Sequence, residues 1–255
     1  MIYRPTRRGI LKAGLLGITP FALSGCDLLG LTNSSSVTDI LGSADALAKR
    51  VQRYLGGDAL APEFSESEIS PNFRTNGNTM PASSAYQAHA EQNFVNWSLS
   101  VDGLVERPAQ FSLANIMSMQ SRTQITRHDC VEGWSAIGKW TGVPLGRLLE
   151  EARLKPEARY VVFHCADDFD GTSYYESIDL ADAHHPQTIL AYAMNGTALP
   201  IGHGAPLRLR VERQLGYKQA KYVMRVEAVA SLSDFGSGGG GYWEDAIGYD
   251  WYAGI

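Results

Sequence analysis

His128-Asp129-Cys130-Val131-Glu132-Gly133-Trp134-Ser135 places a single thiol in a strongly polar run. A cysteine that only packs sits among apolar neighbours, whereas Arg127, His128 and Asp129 give Cys130 surroundings that favour thiolate, the form that binds metals. Working outward, Trp97 to Asp102 alternates apolar and polar residues as a half-buried strand does, and Gly103 supplies a turn or bulge. Ser112 before Leu113-Ala114-Asn115-Ile116-Met117 reads as a capped short helix, and Leu145 to Leu154 as a second helix ended by Lys155-Pro156. Arg159 to Phe163 is a buried strand, Ile178 to His184 a short helix, and Thr188 to Met194 an apolar run closed by the tight-turn pair Asn195-Gly196. Leu207, Leu209 and Val211 then alternate with Arg208, Arg210 and Glu212, and Tyr222 to Leu232 supplies a last strand. Strands outnumber helices and do not alternate with them regularly, so the pattern predicts a mixed, strand-rich α+β domain in place of a doubly wound parallel sheet.

At 255 residues and 44% hydrophobic content, the chain can bury one substantial core. A formal net charge of -5 offers nucleic acid no general attraction, and nucleic-acid binding is excluded as the main role. Three cysteines, Cys26, Cys130 and Cys165, are too few and too odd in number for a disulfide scaffold.

The first 25 residues read as an export leader. Thr6-Arg7-Arg8-Gly9-Ile10-Leu11-Lys12 precedes an apolar stretch, Ala13 to Leu23, that is shorter than the roughly 20 residues of a spanning helix. This looks like a twin-arginine signal, which carries folded proteins and suits one that acquires its cofactor in the cytoplasm. Leu23-Ser24-Gly25-Cys26 resembles a bacterial lipobox, with Cys26 as the lipidated mature N-terminus. Several acyl chains there hold firmly, because each buried methylene contributes about 0.8 kcal/mol. Residues 26–70 read as a tether with one short helix through Ile40, Leu41, Ala44, Leu47 and Val51. Residues 71–255 form the main domain.

Outside the Cys130 run, His203, Arg208, Arg210, Arg213, Lys218 and Lys221 make a basic cluster in an acidic chain, with glycines that admit close ligand approach. Arginine forks and lysine charges suit a buried phosphate; a solvated strand face paired with nearby acids is the plainer reading. Alternation sets Arg208 and Arg210 on one face, opposite Leu207 and Leu209. No Cys-x-x-Cys or His-Glu-x-x-His zinc pattern occurs, and no Gly-x-Ser-x-Gly elbow. A packing role for Cys130 and a disulfide between Cys130 and Cys165 stay open on spacing alone. Gly236 to Gly241 reads as a flexible crossing, and the aromatic tail after it as packing near the site or forming a docking surface.

Asp129 to Ser135, Trp140-Thr141-Gly142-Val143-Pro144-Leu145, His185-Pro186-Gln187-Thr188, Gly204-Ala205-Pro206-Leu207-Arg208 and Gly216-Tyr217-Lys218-Gln219-Ala220-Lys221 together resemble the sulfite oxidase family of molybdopterin enzymes. The resemblance is strongest to its bacterial periplasmic branch, which includes the protein-methionine-sulfoxide reductase catalytic subunit, and it runs from about Pro71 to Ile255. It implies a molybdenum-molybdopterin cofactor, with Cys130 as the protein's molybdenum ligand; soft thiolate suits that sulfur-rich coordination. It places Arg208 and Lys221 on the pterin phosphate, Gln219 and Ala220 beside them, and Asn72, Arg74, Thr75 and Asn76 around the pterin. Arg127 matches a basic position of the branch and, with His128 and Tyr174 or Tyr175, is expected to border the substrate pocket. His203 stands where the branch has asparagine and Cys165 where it has threonine; both are compatible with cofactor binding but leave the substrate open.

The implied activity is oxygen-atom transfer to or from a small or peptide-borne sulfur or nitrogen compound, on the periplasmic side of the cytoplasmic membrane. With no Cys-x-x-Cys-His haem site in the sequence, electrons are expected to pass to a separate cytochrome, either a membrane b-type or a soluble c-type carrier. A monomeric catalytic subunit is expected. The competing reading is a non-catalytic envelope lipoprotein that binds an anion in the basic cluster.

Overall fold

The computed structural model describes residues 59–255 together with Leu47, Arg50 and Val51. The leader, Cys26 and most of the expected tether helix lie outside the described residues; Leu47, Arg50 and Val51 are helical. Among the described residues no helix is long and apolar enough to cross a membrane.

The alternating stretch forms β1 (Ser98–Gly103), with Leu99 and Val101 buried. Gly103, at φ +81°, ends it where a Cβ would lie 2.3 Å from the Ala228 carbonyl oxygen, so only glycine fits. Strand β2 (Ala109–Ser112) returns antiparallel, and Ser112 caps helix α2 (Leu113–Ser118) by accepting a hydrogen bond from the Asn115 amide; the first helix, α1, is Ser84–Glu91. Strands β3 (Arg122–Asp129) and β4 (Ser135–Pro144) form a hairpin, followed by α3 (Leu145–Ala152), which buries Leu145, Leu148 and Leu149. Then come β5 (Tyr160–Phe169), β6 (Thr172–Asp179), α4 (Leu180–Ala183), β7 (Ile189–Met194), β8 (Thr197–Ala198), β9 (Arg208–Arg210), β10 (Val223–Val229) and α5 (Tyr242–Ile247).

Two five-stranded sheets result. One runs β2-β1-β10-β5-β6, with β1 and β10 parallel and the other pairs antiparallel. The other runs β3-β4-β7-β8, with β9 also paired to β7. This is the mixed α+β architecture expected of the sequence.

The main core lies between the sheets and joins Leu99, Val161, Phe163 and Val226 to Val143, Leu190, Leu207 and Leu209. The opposite face of the second sheet is covered as well. Ile189 and Ala191 pack there with Phe73, Trp140 and Leu199. That second layer changes the meaning of the arginine face: Arg208 and Arg210 do alternate with the core leucines, but both are fully buried over the Trp140 ring, at 5.4 and 4.3 Å from its centroid.

Residues 59–70, assigned to the tether by composition, lie along β3 and β4. The Phe64 amide donates to the Ile125 carbonyl (2.9 Å) and the Ser70 amide to the Ile137 carbonyl (3.0 Å). The glycine-rich crossing is likewise held, because the Asp245 carboxylate accepts from Ser237 Oγ (2.6 Å) and the Gly239 amide (2.8 Å).

Candidate functional site

Cys130 occupies the turn between β3 and β4. Its amide donates to the Trp134 carbonyl (2.9 Å), its carbonyl accepts from the Gly133 amide (3.0 Å), and Gly133 takes φ +84° to close the loop. The thiol is 8% exposed at the wall of a cavity of about 350 Å³. Burial pushes its pKa up, and the nearby Glu132 charge adds to this while Arg208 opposes it. Cys165 does not line that cavity: it is half-buried on β5, and its thiol is pushed well above its ordinary value by desolvation, then by Asp167 and Glu176. Both cysteines are free thiols, so the disulfide alternative is not realised.

The basic cluster separates into two kinds of residue. Arg210 donates through Nε and Nη2 to the two oxygens of Glu212 (2.9 and 2.7 Å), Arg213 pairs with Asp182, and Lys218 pairs with Glu176 and Glu244. Among the described residues, Arg208 and Lys221 pair with no carboxylate. Arg208 Nη1 donates to the His203 carbonyl (3.2 Å), while its Nε and Nη2 are buried without a partner among the described residues. Burial first, and then the Arg210 charge, depress its pKa to about 9. Lys221, depressed to about 7 by burial and then by Arg208, donates to the carbonyls of Asn76 (2.6 Å), Gly202 (3.1 Å) and Asn78.

Other buried polar atoms near Arg208 also lack partners among the described residues: His128 Nε2, His203 Nδ1 and Asn76 Oδ1. Arg210 Nη1 donates to His128 Nδ1 (3.1 Å), and burial with the Arg208 and Arg210 charges holds the ring neutral, so its proton sits on Nε2. His203 is held down to about 4 by burial, Arg208 and Lys221, and is neutral as well. Gly216 permits this geometry, since a Cβ there would lie 2.5 Å from His128 Nε2. Buried donors left unpaired cost about 1–3 kcal/mol each, more for a charge, so a cluster around an unneutralised guanidinium is a cradle for an anionic group.

Asn76, Gln219 and Lys221 reach the cavity with Cys130. Gln219 donates to the carbonyls of Val211 (3.4 Å) and Gln214 (3.2 Å), and Ala220 is buried beside it. Asn72, Arg74 and Thr75 instead border a separate open cleft with Glu132 and Trp134. Of the expected substrate-pocket residues, Tyr174 lines the cavity, whereas Tyr175 turns away to Asp245 and the Phe235 carbonyl. Arg127 is exposed, pairs with Asp129 (2.9 Å) and faces another cavity of about 540 Å³ with Phe64 and Tyr252. His128, on the opposite face of the strand, is fully buried and does not line the Cys130 cavity either.

Sequence reasoning missed Asp167 on the cavity wall and had Glu132 and Tyr217 only as members of motifs, whereas the tail expected to pack near the site does bring two of its rings there, Trp243 and Tyr249. Asp167 accepts from Asn78 Nδ2 (2.7 Å), and burial raises its pKa. The aromatic tail was the one available signal for the last two.

Among the described residues no three His, Cys, Asp or Glu side chains gather to hold a metal ion. A metal held at Cys130 would need its other ligands from a cofactor, and the basic, partnerless groups around Arg208 fit one that carries a phosphate. Residues 86–234 match the model of the oxidoreductase molybdopterin binding domain. The chain belongs to that family.

Its relatives agree. It is 37% identical over 98% of its length, and 88% of the relative's, to a protein of Azospira oryzae provisionally named protein-methionine-sulfoxide reductase subunit YedZ1. It is 35% identical to the protein-methionine-sulfoxide reductase catalytic subunit MsrP of Xanthomonas campestris, over 54% of this chain and 46% of that one. The crystal structure of the sulfane dehydrogenase SoxCD from Paracoccus pantotrophus superposes with a TM-score of 0.50 at 26% identity, covering 54% of this chain and 39% of that one. The protein is a molybdopterin-dependent oxidoreductase of the sulfite oxidase type, and its cofactor is molybdenum-molybdopterin.

Proposed function

We propose that this chain is the catalytic subunit of an exported enzyme that moves an oxygen atom to or from a small or peptide-borne sulfur or nitrogen compound, with Cys130 as its molybdenum ligand. The observation that carries this reading is that the Cys130 thiol feels the charge of Arg208, a buried guanidinium with two donors that have no partner among the described residues. The names of two relatives favour a sulfoxide as the oxygen donor.

When bound, the cofactor supplies two-electron chemistry that no side chain can provide. Cys130 Sγ anchors it, and coordination would remove the proton that burial otherwise keeps on the thiol. Arg208 Nε and Nη2 with Lys221 Nζ would hold its phosphate, and His128 Nε2, His203 Nδ1 and Asn76 Oδ1 would bond its polar edges. Asp167 retains a proton at the cavity wall to higher pH than an exposed aspartate does. Tyr174 and Tyr217 wall that space against water. Arg127 has no part in this arrangement.

Electrons exchange with a cytochrome, either membrane b-type or soluble c-type. The resemblance of residues 6–12 to a twin-arginine signal and of Leu23-Ser24-Gly25-Cys26 to a lipobox supports a location on the periplasmic face of the membrane.

Cys130→Ala, matured through the native export route, should lose both turnover and stoichiometric molybdenum. Full turnover in that variant would overturn the ligand assignment. Wild-type protein without molybdenum or pterin would instead support a non-catalytic anion-binding lipoprotein.

A further inference from the structure

Residues 71–82 run over the groups around Arg208, and they are held unlike the chain on either side. The Ser70 amide donates to the Ile137 carbonyl on β4 (3.0 Å), and α1 begins at Ser84. Between them, residues 71–82 make no backbone–backbone hydrogen bond among the described residues. Pro71 and Pro81 bracket the stretch, and a proline has no N–H to give to a neighbouring strand. From Pro71 to Met80 only Phe73 is buried.

Phe73 fastens the stretch. Its ring stands edge-on to Trp140 (5.4 Å between centroids) and to His203 (5.6 Å), and it also packs on His128 (5.6 Å). Trp140 Nε1, His128 Nε2 and His203 Nδ1 are the buried atoms that, like Arg208 Nε and Nη2, lack partners among the described residues. Two glycines make room for the stretch: a Cβ on Gly138 would lie 3.1 Å from Phe73 Cε2, and one on Gly202 would lie 3.1 Å from Thr75 Cγ2. Further ties come from side chains. Lys221 Nζ donates to the Asn76 carbonyl (2.6 Å), Tyr222 Oη to the Asn78 carbonyl (2.9 Å), and Asn78 Nδ2 to Asp167 Oδ1 (2.7 Å).

A phosphate cannot reach Arg208 through this closed arrangement. The guanidinium is fully buried, and the Cys130 cavity is lined by Asn76, Gln219 and Lys221 but not by Arg208, His128 or His203. Some part of the cover must move aside, and local opening is easiest where few apolar groups are buried and no ladder bonds hold the backbone. The C-terminal side is locked. Buried Lys218 pairs with Glu176 and Glu244, Tyr217 Oη donates to the Asp250 carbonyl (2.6 Å), and the Leu215 amide donates to the Ala253 carbonyl (2.9 Å). The stretch between the two prolines has one buried side chain to withdraw, and water can solvate its backbone in either position.

We propose that residues 71–82 are a lid, hinged at Pro71 and Pro81 and latched by Phe73, that opens to admit the cofactor to Arg208 and closes over it. This rests on the reading of Arg208 as the phosphate site.

The test compares full-length protein made in cells unable to synthesise the pterin with natively matured holoenzyme. Arg74 is exposed inside the lid, so trypsin should cut the cofactor-free protein first after Arg74, while the holoenzyme resists there, because cleavage follows the population of the open form. Release of pterin from the holoenzyme, followed by its fluorescence, gives a second readout that needs no turnover. Phe73→Ala should release it about tenfold faster, and Phe73→Leu should fall between that variant and the wild type. A Thr75→Cys/Gly202→Cys pair, oxidised after maturation, should staple the lid shut and slow release by about tenfold until dithiothreitol reopens it. Each single-cysteine variant is the control. The staple keeps the test decisive if Phe73→Ala does not fold.

Release that is indifferent to the closed staple, or equal cleavage after Arg74 with and without cofactor, would overturn the lid and leave the Cys130 and Arg208 assignments standing. Natively matured protein that contains neither molybdenum nor pterin overturns the cofactor reading and the lid together.

Discussion

Lys218→Met tests whether the buried triad holds the C-terminal wall in place. Lys218, Glu176 and Glu244 are all sealed from solvent, with Lys218 Nζ 2.7 Å from Glu176 Oε1 and also bonded to Glu244. Both Glu176 Oε2 and Glu244 Oε2 lack partners among the described residues, and a Cβ on Gly241 would lie 2.1 Å from Glu176 Oε1 and 2.2 Å from Glu244 Oε2, so neither carboxylate has room to retreat. Removing the ammonium leaves carboxylate charge buried without a cation, which costs about 3–5 kcal/mol. For a domain of this size that lowers Tm by roughly 2–4 °C per kcal/mol, about 6–20 °C in all. The loss should depend on pH. Burial, followed by Glu244, raises the Glu176 carboxyl well above its ordinary 4.5, while Lys218 lowers it; deleting Lys218 removes that lowering influence. A group whose folded pKa is raised contributes stability that is complete below its unfolded value and is lost as pH rises through the folded one. Both proteins lose stability as pH rises above 4.5, but the variant, with its Glu176 pKa raised further, should go on losing it after the wild type has stopped, so melts followed by circular dichroism should show a larger deficit at pH 8 than at pH 5. Adding Glu176→Gln should recover part of the loss. A deficit under about 1 kcal/mol, or one identical at both pH values, would refute the account.

Arg208→Met should cost the enzyme at least tenfold in molybdopterin retention, read by elemental analysis and pterin fluorescence. Arg210→Met should chiefly cost stability, by about 3–5 kcal/mol in denaturant melts, because it strands buried Glu212. Gly142→Ala should destabilise by about 1–3 kcal/mol or more, since its Cβ would lie 2.2 Å from the Leu190 carbonyl oxygen; an unchanged denaturation midpoint would show that the sheet can yield there. Lys221 holds its proton only below about pH 7 in the cofactor-free fold, so inorganic phosphate measured by calorimetry should bind more weakly as pH rises through 7. Over the same range, from about 7 to the ordinary 10.5, the unfolded chain binds the extra proton, and stability without an anion should rise with pH.

The elements that could be read from the chain were those with an apolar period. β1, α3, β7 and the Asn195-Gly196 turn follow hydrophobic alternation, a 3.6-residue repeat and turn chemistry, all of which are local. The hairpin that carries Cys130 was silent because the inward positions of β3 are Gln124, Thr126 and His128, buried polar residues that leave no apolar alternation. The site divides in the same way. Cys130, Arg208 and Lys221 stood out by residue type and motif order, whereas Asp167 and Glu132 are ordinary surface residues in a linear reading and acquire a role only when β5 and the β3–β4 turn meet.

Composition, the thiol's polar neighbours and the order of short motifs were enough to determine a strand-rich molybdopterin-binding domain from the chain alone. Only the tertiary structure decided which basic residues are available to a ligand. Arg210, Arg213 and Lys218 are consumed by acids, two of them distant in sequence, while Arg208 remains uncompensated. It also turned Arg127 away from the cavity and brought Trp243 and Tyr249 to it. The physical reason is that charge compensation and side-chain direction depend on which strands become neighbours, and a local pattern carries no record of partners a hundred residues away.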